Sequence, residues 1–349
     1  MNYTLLISGQ AIKKVFSMKD AVKAVENGFV EYGKGRVQMP PKVYMYFTGP
    51  DGNQVGDLRV MPSYLPGFNA AGVKIVNVHP NNPQEHGLPA VMGIYPYIDP
   101  ATGFCLALMD ATYMTNLRTG AAGGIAAKYL AKKDSKVIGF IGAGHQAETQ
   151  LEALLAVKED GHLSQLERVF VYDKAPEISG RFAEKVSKAY DIEADVASKE
   201  DTIKNSDILI TTTPVRQPVV ENRYVMPGTH INAIGADAEG KEELEPEILK
   251  RSIIIIDEWQ QASHSGEINV PLKNGIITEK DICANIGEIV IGKKQGRVSS
   301  EDITIFDSTG LGIQDLVCER EAFNRVKENL DELEEQELIA KFDFLPTED

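Results

Sequence analysis

Four cationic side chains lie in or beside apolar segments of the chain, where an unpaired charge is costly to bury. These residues are Lys42, Arg59, Lys74 and Arg118. Each of them, taken alone, can point outward to solvent or pair with a local acid. Together they can form a cationic pocket for a substrate carboxylate, because Arg suits a bidentate grip on such a group.

An acid follows an apolar segment in the second half of the chain. Asp237 comes directly after Ile234-Gly235-Ala236, and open α/β sheets bind ligands at the carboxyl edge of their strands. Asp237 is therefore a candidate for proton transfer, but an Asp in this position is also a common turn former. Thr211-Thr212-Thr213, before Pro214, can line a cofactor groove or simply end a strand at the proline.

The stretch from Lys136 to Ala147 has the pattern of an apolar strand that leads into a glycine turn. Gly142 can make the tight turn, and Gly144 lets the backbone approach a pyrophosphate closely. The helix that follows would point free N–H groups at the phosphates. Asp173 ends the next apolar segment, where its carboxylate can bind a ribose and repel a 2′-phosphate. The pattern indicates a dinucleotide and favours NAD over NADP; an ordinary strand–turn–helix is the alternative.

The first third of the chain predicts one helix and then a sheet. Ser17 and Asp20 form an N-terminal cap, and glycines end the helix at Gly33 and Gly35. Five segments rich in β-branched and aromatic residues follow, and they predict a mostly antiparallel sheet. They are Val43–Phe47, Val55–Met61, Gly72–Val78, Val91–Ile98 and Phe104–Met109. The segment from Asp110 to Lys133 has a helical composition, which we expect to break near Thr119-Gly120.

From Lys136 onward, strand and helix patterns alternate, which predicts a parallel sheet covered on both faces. The predicted strands after the glycine turn are Val169–Tyr172, Ile208–Thr213, His230–Gly235, Ile253–Asp257 and Ile303–Phe306, and one predicted helix is Pro176–Ala189. A helix from Gly312 to Asn329 is expected to return to the first domain. The acidic end, Leu330–Asp349, is predicted to be a solvated tail or a peripheral helix.

Composition limits the classes of partner. A chain of 349 residues that is 43% hydrophobic has enough apolar material for about two domains. The net charge of −15 repels nucleic-acid backbones and anionic membrane surfaces, so neither is expected as a partner. No signal segment or membrane-length apolar run is evident. Cys105, Cys283 and Cys318 lack the spacing of a metal or redox motif, so we expect buried thiols in a reducing cytoplasm and no metal.

Six motifs in this order resemble the ornithine cyclodeaminase and mu-crystallin family, from about Ser17 to about Glu319. They are Met39-Pro40-Pro41-Lys42, Arg59-Val60-Met61-Pro62, the segment Lys74–Pro80, Leu117-Arg118-Thr119-Gly120, Gly142-Ala143-Gly144-His145-Gln146-Ala147 and Gly235-Ala236-Asp237, with the segment Phe306–Asp315 closing the match. The resemblance implies an α/β fold with a Rossmann-type doubly wound parallel sheet in residues 119–306. It also implies a second α+β domain, residues 1–118 completed by 307–349, which binds substrate and forms a homodimer.

The resemblance also implies roles for individual residues. Arg118 and Lys74 match residues that hold the carboxylate of a small amino-acid or imino-acid substrate, and Lys42 matches a further cation of that pocket. Asp237 matches the acid that handles the proton or activates water. Cofactor contacts are implied for Thr119, Gly142, Gly144, His145, Gln146 and Asp173, with Thr213 and Gly312 near the nicotinamide.

Three activities within the family fit these residues: reversible oxidative deamination of alanine, reduction of cyclic imines such as pyrroline-2-carboxylate, and cyclisation of ornithine to proline. Arg59 occupies the position where the ornithine enzymes are expected to have a carboxylate, and a guanidinium there would repel the ornithine ammonium. Arg59 with Lys42 resembles the alanine dehydrogenases of the family. A mu-crystallin-like binding protein without turnover is the non-enzymatic alternative. Ala90, where a hydroxyl residue is frequent, is a departure from the family pattern.

Overall fold

The chain forms two units, each with its own sheet. The computed structural model describes residues 3–345. Within this range, residues 3–118 and 311–345 form the first unit, and residues 119–310 form the second.

The first unit contains a seven-stranded sheet in the order β15-β1-β6-β5-β4-β3-β2. Its strands are β1 (Thr4–Ile7), β2 (Val43–Thr48), β3 (Gln54–Leu65), β4 (Ala70–Val78), β5 (Val91–Ile98), β6 (Cys105–Asp110) and β15 (Ile339–Phe342). All neighbours are antiparallel except β1 and β6, which run parallel. The predicted, mostly antiparallel sheet is confirmed.

Two long helices accompany this sheet, α2 (Met18–Gly33) and α12 (Gly312–Glu328). The predicted cap of α2 is present, since the Ser17 side chain and the Asp20 carboxylate bond to each other's backbone N–H. Burial along β3 and β4 alternates with a period of two, so every second side chain enters the core. Large apolar side chains remain exposed elsewhere on the sheet, among them Val43 at 62% and Ile94 at 46%.

Both chain ends differ from the expected pattern. The N-terminal segment forms β1 and a short helix α1 (Gly9–Val15), which periodicity did not indicate. The acidic end contains a helix α13 (Leu330–Glu335), but it also supplies β15, which pairs antiparallel with β1. The prediction of a solvated tail or a peripheral helix was therefore incomplete. The strand β15 has only four residues, too few to show the two-residue alternation of a strand in the sequence. Residues 346–349 of that prediction lie outside the described residues.

The second unit contains an eight-stranded sheet in the order β13-β12-β14-β11-β10-β7-β8-β9, and every neighbouring pair is parallel. Its strands are β7 (Val137–Ile141), β8 (Arg168–Tyr172), β9 (Glu193–Val196), β10 (Ile208–Thr211), β11 (His230–Ala233), β12 (Ser252–Ile256), β13 (Ile282–Asn285) and β14 (Ile303–Asp307). The predicted doubly wound, Rossmann-type sheet is confirmed.

Helices connect these strands. The longer ones are α4 (Thr112–Leu130), α5 (His145–Glu159) and α6 (Pro176–Ala189), and the short ones are α7 (Lys199–Lys204), α8 (Pro246–Lys250), α9 (Trp259–Ser265), α10 (Asn269–Lys273) and α11 (Ile286–Val290). A further short helix, α3 (Asn82–Glu85), lies between β4 and β5 of the first unit. Among the described residues, no helix is long and apolar enough to cross a membrane.

The expected break of α4 near Thr119-Gly120 is wrong, because α4 is continuous. Its glycines serve packing instead. A Cβ at Gly120 would overlap the backbone carbonyl of Thr149, and one at Gly124 would lie 2.9 Å from the Ala153 Cβ. Glycine is therefore what lets α4 and α5 approach each other closely, at the modest cost in helix propensity that glycine carries.

The cysteines differ in part from the expected burial. Cys318 is buried, whereas Cys105 and Cys283 are half-buried, and all three are free thiols. The histidines His79 and His86 flank the segment Pro80–Glu85, and the His79 ring stacks on Phe47 with centroids 5.6 Å apart.

A buried histidine makes the stability of the second unit depend on pH. His230 lies between the Thr304 hydroxyl at 2.9 Å and the Asn232 carbonyl oxygen at 3.0 Å. Burial and then the charge of Arg297 lower the pKa of His230 to about 3. The unfolded chain therefore binds a proton near pH 6.5 that the folded chain does not take up, so stability falls as the pH drops below that value.

We expect His230→Gln to flatten this dependence. At pH 5 the proton linkage of His230 lowers the free energy of unfolding by about 2 kcal/mol, whereas at pH 7.5 it has almost no effect. Urea unfolding at both pH values, for wild type and His230→Gln, measures the difference. An equal drop in unfolding free energy for both proteins would show that His230 is not the linked group.

Candidate active site

A buried cluster of opposite charges lies in the first unit. Lys74 points inward from β4 and is only 1% exposed. Its Nζ donates to Oδ1 of Asp315 at 2.8 Å, and Nε of Arg118 donates to the same oxygen at 3.0 Å. Two buried cations are thus held against one carboxylate.

The first turn of α12 provides the partners of both cations. Gln314 Oε1 accepts from Nη1 of Arg118 at 3.1 Å and from the Leu311 backbone N–H at 3.2 Å. The Thr115 hydroxyl lies 3.4 Å from Nζ of Lys74. Lys74 and Arg118 therefore neither point outward to solvent nor pair with a local acid; both are buried against an acid that is distant in sequence.

The electrostatics keep this cluster positive. Burial, the charge of Arg118 and, to a lesser extent, that of Arg59 lower the pKa of Lys74 to about 8, and Asp315 opposes the shift. Lys74 is therefore mostly protonated at neutral pH. Glu319, one turn further along α12, is fully buried, and burial together with Asp315 and Asp110 raises its pKa well above the ordinary value. Burial and the neighbouring acids thus favour the neutral form of Glu319, which does not cancel the positive charge.

The other two predicted cations lie in the same unit. Nε and Nη2 of Arg59 donate to Asp57 at 2.8 and 3.2 Å, and the guanidinium lies 5.5 Å from the centroid of the Tyr44 ring. Asp57 therefore offsets part of the charge of Arg59, yet the charge of Arg59 still lowers the pKa of Lys74. Lys42 is half-buried just before β2.

The glycine turn lies in the second unit, between β7 and α5. Gly142 has φ +96°, a value that favours glycine. Its N–H donates to the Tyr172 carbonyl at 2.9 Å, and the Ala143 N–H donates to Oδ2 of Asp173 at 2.9 Å. The Ala175 N–H donates to the other oxygen of Asp173 at 2.9 Å. Asp173 thus stabilises the glycine turn through hydrogen bonds to the backbone.

Space in front of the turn is open. Gly144 is the N-cap of α5 and supplies no capping side chain, and a Cβ built on it meets no atom within 4 Å. His145 and Gln146 form the first turn of α5, with His145 exposed and Gln146 half-buried. An uncapped helix N-terminus with open space before it suits an anionic phosphate.

The predicted acid lies in a loop after β11. Nζ of Lys241 donates to Oδ1 of Asp237 at 2.6 Å, and Asp237 is half-buried. Thr213 lies beyond the end of β10, and both its N–H and its hydroxyl donate to Oε1 of Glu243 at 2.6 Å. Thr119 is half-buried on α4, and its carbonyl accepts from the Gln150 amide at 3.0 Å.

The site residues therefore divide between the units. Lys42, Arg59, Lys74, Arg118 and Gly312 belong to the first unit, and Thr119, Gly142, Gly144, His145, Gln146, Asp173, Thr213 and Asp237 belong to the second. Gly312 begins α12, where its carbonyl accepts from the Ser63 hydroxyl at 2.9 Å. Among residues 3–345, no group of three or more potential metal ligands is assembled.

Known proteins match this chain along most of its length. The model of the ornithine cyclodeaminase/mu-crystallin family matches residues 3–330. The chain belongs to this family. The alanine dehydrogenase of Archaeoglobus fulgidus is 49% identical over 330 residues, which are 94% of this chain and 97% of the relative. The resemblance inferred from the motifs, including the likeness to alanine dehydrogenases, is confirmed.

Two solved structures share the whole architecture. An archaeal alanine dehydrogenase dimer with bound NAD has a TM-score of 0.90 and 46% identity, covering 98% of this chain and all of that one. The pyrroline-2-carboxylate reductase of Thermococcus litoralis, in complex with NADH and L-proline, has a TM-score of 0.87 and 38% identity, covering 93% of this chain and 98% of that one.

Three buried acids that contact or neighbour the predicted site residues were not identified from the sequence; they are Asp315, Glu319 and Glu243. Asp315 and Glu319 lie on α12, more than 200 residues from Lys74, so no local spacing links them. Glu243 follows Asp237 by six residues and carries no motif of its own. The available signal was weak: only Asp315 is a carboxylate in an otherwise apolar segment, where a buried partner has to exist, whereas Glu243 lies among other charged residues.

Proposed function

We propose that this chain is an NAD-dependent amino-acid dehydrogenase that converts L-alanine, NAD and water to pyruvate, ammonia and NADH, reversibly. The observation that carries the proposal is the buried pair Lys74 and Arg118, which share a single oxygen of Asp315. One positive charge in excess matches one carboxylate, which alanine and pyruvate both have. The 49% identity to an alanine dehydrogenase supports the same substrate.

In the proposed reaction, Lys74 and Arg118 hold the substrate carboxylate, with Lys42 and Arg59 as further cations of the pocket. NAD, when bound, would supply the redox chemistry by exchanging hydride with Cα. Asp237 manages the protons as water adds to the imine and ammonia leaves. The catalysis rests on positioning and on one acid–base group.

For the cofactor, the residues present fit a dinucleotide. The open space before Gly144 can admit a pyrophosphate, and the N–H groups at the start of α5 can bind it. Asp173 can accept a ribose hydroxyl beside its two backbone donors, since each carboxylate oxygen has more than one lone pair. The carboxylate favours NAD over NADP.

We also propose a homodimer. Exposed apolar side chains on β2 and β5, among them Val43, Met45 and Ile94, form part of a surface that water solvates poorly. The archaeal relative is a dimer, and a second copy of this chain is the partner that we expect.

A reductase for pyrroline-2-carboxylate is the second candidate, since the Thermococcus litoralis relative shares 38% of its sequence with this chain. Ornithine cyclodeamination comes third, because the charge of Arg59 acts on the pocket even though Asp57 offsets part of it. Faster conversion of ornithine to proline than of pyruvate to alanine would overturn this order. Tight NADH binding without turnover on any amino or imino acid would instead indicate a binding protein.

Gly144→Ala tests the cofactor site separately from the fold. Because the added Cβ meets no protein atom, we expect the free energy of unfolding to fall by no more than about 1 kcal/mol, the usual scale of a cap change. The Cβ would instead meet the pyrophosphate, so the Kd for NADH rises by about 10- to 100-fold, which is about 1.4 to 2.7 kcal/mol.

Gly180→Ala in α6 is the matched control, since its Cβ also meets no atom. NADH titration by fluorescence measures both variants. Unchanged NADH affinity in Gly144→Ala would remove the glycine turn from the cofactor site.

A further inference from the structure

One buried carboxylate connects the two strand ends beside the Asp237 loop. Oε2 of Glu243 accepts from the Gly235 N–H at 2.8 Å and from the Thr211 hydroxyl at 2.6 Å. Its Oε1 accepts from the N–H and the hydroxyl of Thr213, both at 2.6 Å. Gly235 precedes the loop and Glu243 follows it, so this side chain closes the loop at its base and joins it to the end of β10.

The base of the loop is packed without spare room. A Cβ on Gly235 would lie 2.6 Å from the Thr213 nitrogen and 2.7 Å from Cδ of Glu243. Both distances are too short for any real Cβ. The absence of a side chain at Gly235 therefore lets the carboxylate reach both strand ends at once.

The far side of the loop is also fixed. Oδ1 of Asn269 accepts from the Gly240 N–H, and Nδ2 of Asn269 donates to the Lys241 carbonyl, both at 2.9 Å. Lys241 in turn donates to Asp237 at 2.6 Å. Asp237 thus lies in a loop that is held at its base by Glu243 and at its tip by Asn269.

A second acid holds Glu243 itself. The Glu243 N–H donates to Glu267 at 2.9 Å, and the Leu244 N–H donates to it at 2.7 Å. Burial raises the pKa of Glu243, and burial with the charge of Glu243 raises the pKa of Glu267 well above its usual range. Glu243 accepts from four donors, an arrangement that favours its charged form, and the charge of Glu243 favours the neutral form of Glu267.

We propose that Glu243 is a positioning residue for Asp237: its carboxylate fixes the loop 235–243 in the conformation in which Asp237 transfers protons. This inference rests on the proposed dehydrogenase function. Glu243 itself is not expected to touch substrate or cofactor.

Glu243→Gln tests the inference because it keeps the size of the side chain. In either orientation the new amide nitrogen faces a backbone N–H, that of Thr213 or that of Gly235, so one strand end is released. We expect kcat to fall by about 10- to 100-fold, the cost of misplacing a catalytic group by about 1 Å. The KM for pyruvate should change little.

The double variant Glu243→Gln/Asp237→Asn separates positioning from a general loss of folded protein. If Glu243 acts through Asp237, Glu243→Gln has little further effect on kcat in the Asp237→Asn background. Glu242→Gln is the matched control, since the buried Oε2 of Glu242 has no hydrogen-bond partner among the described residues. We expect the control to retain wild-type kcat.

Amide hydrogen exchange of the free protein reports on the loop without any turnover. We expect peptides covering 235–243 to exchange faster in Glu243→Gln than in Glu242→Gln. Equal exchange in the two variants, wild-type kcat in Glu243→Gln, or the same fold loss in both backgrounds would overturn the inference. A wild-type protein without turnover would overturn the proposed function instead, and hydrogen exchange would still show whether Glu243 holds the loop.

Discussion

Asp237→Asn is expected to lower kcat for the amination of pyruvate by 10²- to 10⁴-fold, the range typical of a lost general acid–base group. The amide has the size of the carboxylate but cannot take up a proton from the attacking ammonia or return it to the leaving water. The fold should persist, because the loop is held by Glu243 and Asn269 rather than by Asp237. NADH affinity should stay close to that of the wild type.

Glu239→Gln provides the control for this experiment. Glu239 lies in the same loop, is exposed, and pairs with Lys273 at 3.3 Å, so its substitution removes one charge from the loop and leaves Asp237 in place. Steady-state kinetics of both variants, with NADH binding measured in parallel, decide the role. Retention of wild-type turnover in Asp237→Asn would exclude Asp237 as the proton-transfer residue.

Asp315→Asn is expected to destabilise the first unit by about 3 to 5 kcal/mol, the usual cost of leaving buried charge without its partner. Lys74 and Arg118 would lose the one carboxylate oxygen that they share. Lys74→Met alone should lower the free energy of unfolding much less, since Asp315 then keeps Arg118 as its partner. The single Lys74 variant should nevertheless lose most of its turnover, because the excess positive charge is gone.

A double-mutant cycle tests this balance of charges. In the Lys74→Met background, Asp315→Asn leaves one unpaired cation instead of two, so the loss of unfolding free energy should be clearly smaller. Chemical denaturation of the four proteins gives the coupling energy. Glu321→Gln is the control on the same helix, since Glu321 pairs at the surface with Arg325 at 3.3 Å and should contribute at most about 1 kcal/mol. If the losses of unfolding free energy in the two single variants simply add in the double variant, Asp315 is not the common counterion of Lys74 and Arg118.

Local chemistry determined what the sequence could predict. The cap Ser17–Asp20, the strands β3 and β4, and the turn at Gly142 each depend on residues close in the chain, and each is found as expected. The break expected in α4 failed for a physical reason: a glycine in a helical pattern has the same sequence signature whether it ends a helix or admits a neighbouring helix.

The partners of the predicted cations could not be predicted. Lys74 meets Asp315 only because α12 packs against the first-unit sheet after the chain has passed through the second unit. The edge strand β15 depends in the same way on its distant partner β1. Spacing along the sequence does not contain such contacts, whereas the cost of burying a charge does indicate that a partner has to exist.

The measurement that tests the central claim most directly is the oxidation of NADH by the wild-type enzyme, followed with pyruvate and ammonium and, separately, with pyrroline-2-carboxylate. The excess positive charge held by Lys74 and Arg118 suits the carboxylate of either substrate. The likeness to alanine dehydrogenases predicts the larger kcat/KM for pyruvate and the formation of L-alanine. A larger kcat/KM for pyrroline-2-carboxylate, with proline as the product, would contradict the account and assign the chain to the imine reductases of its family.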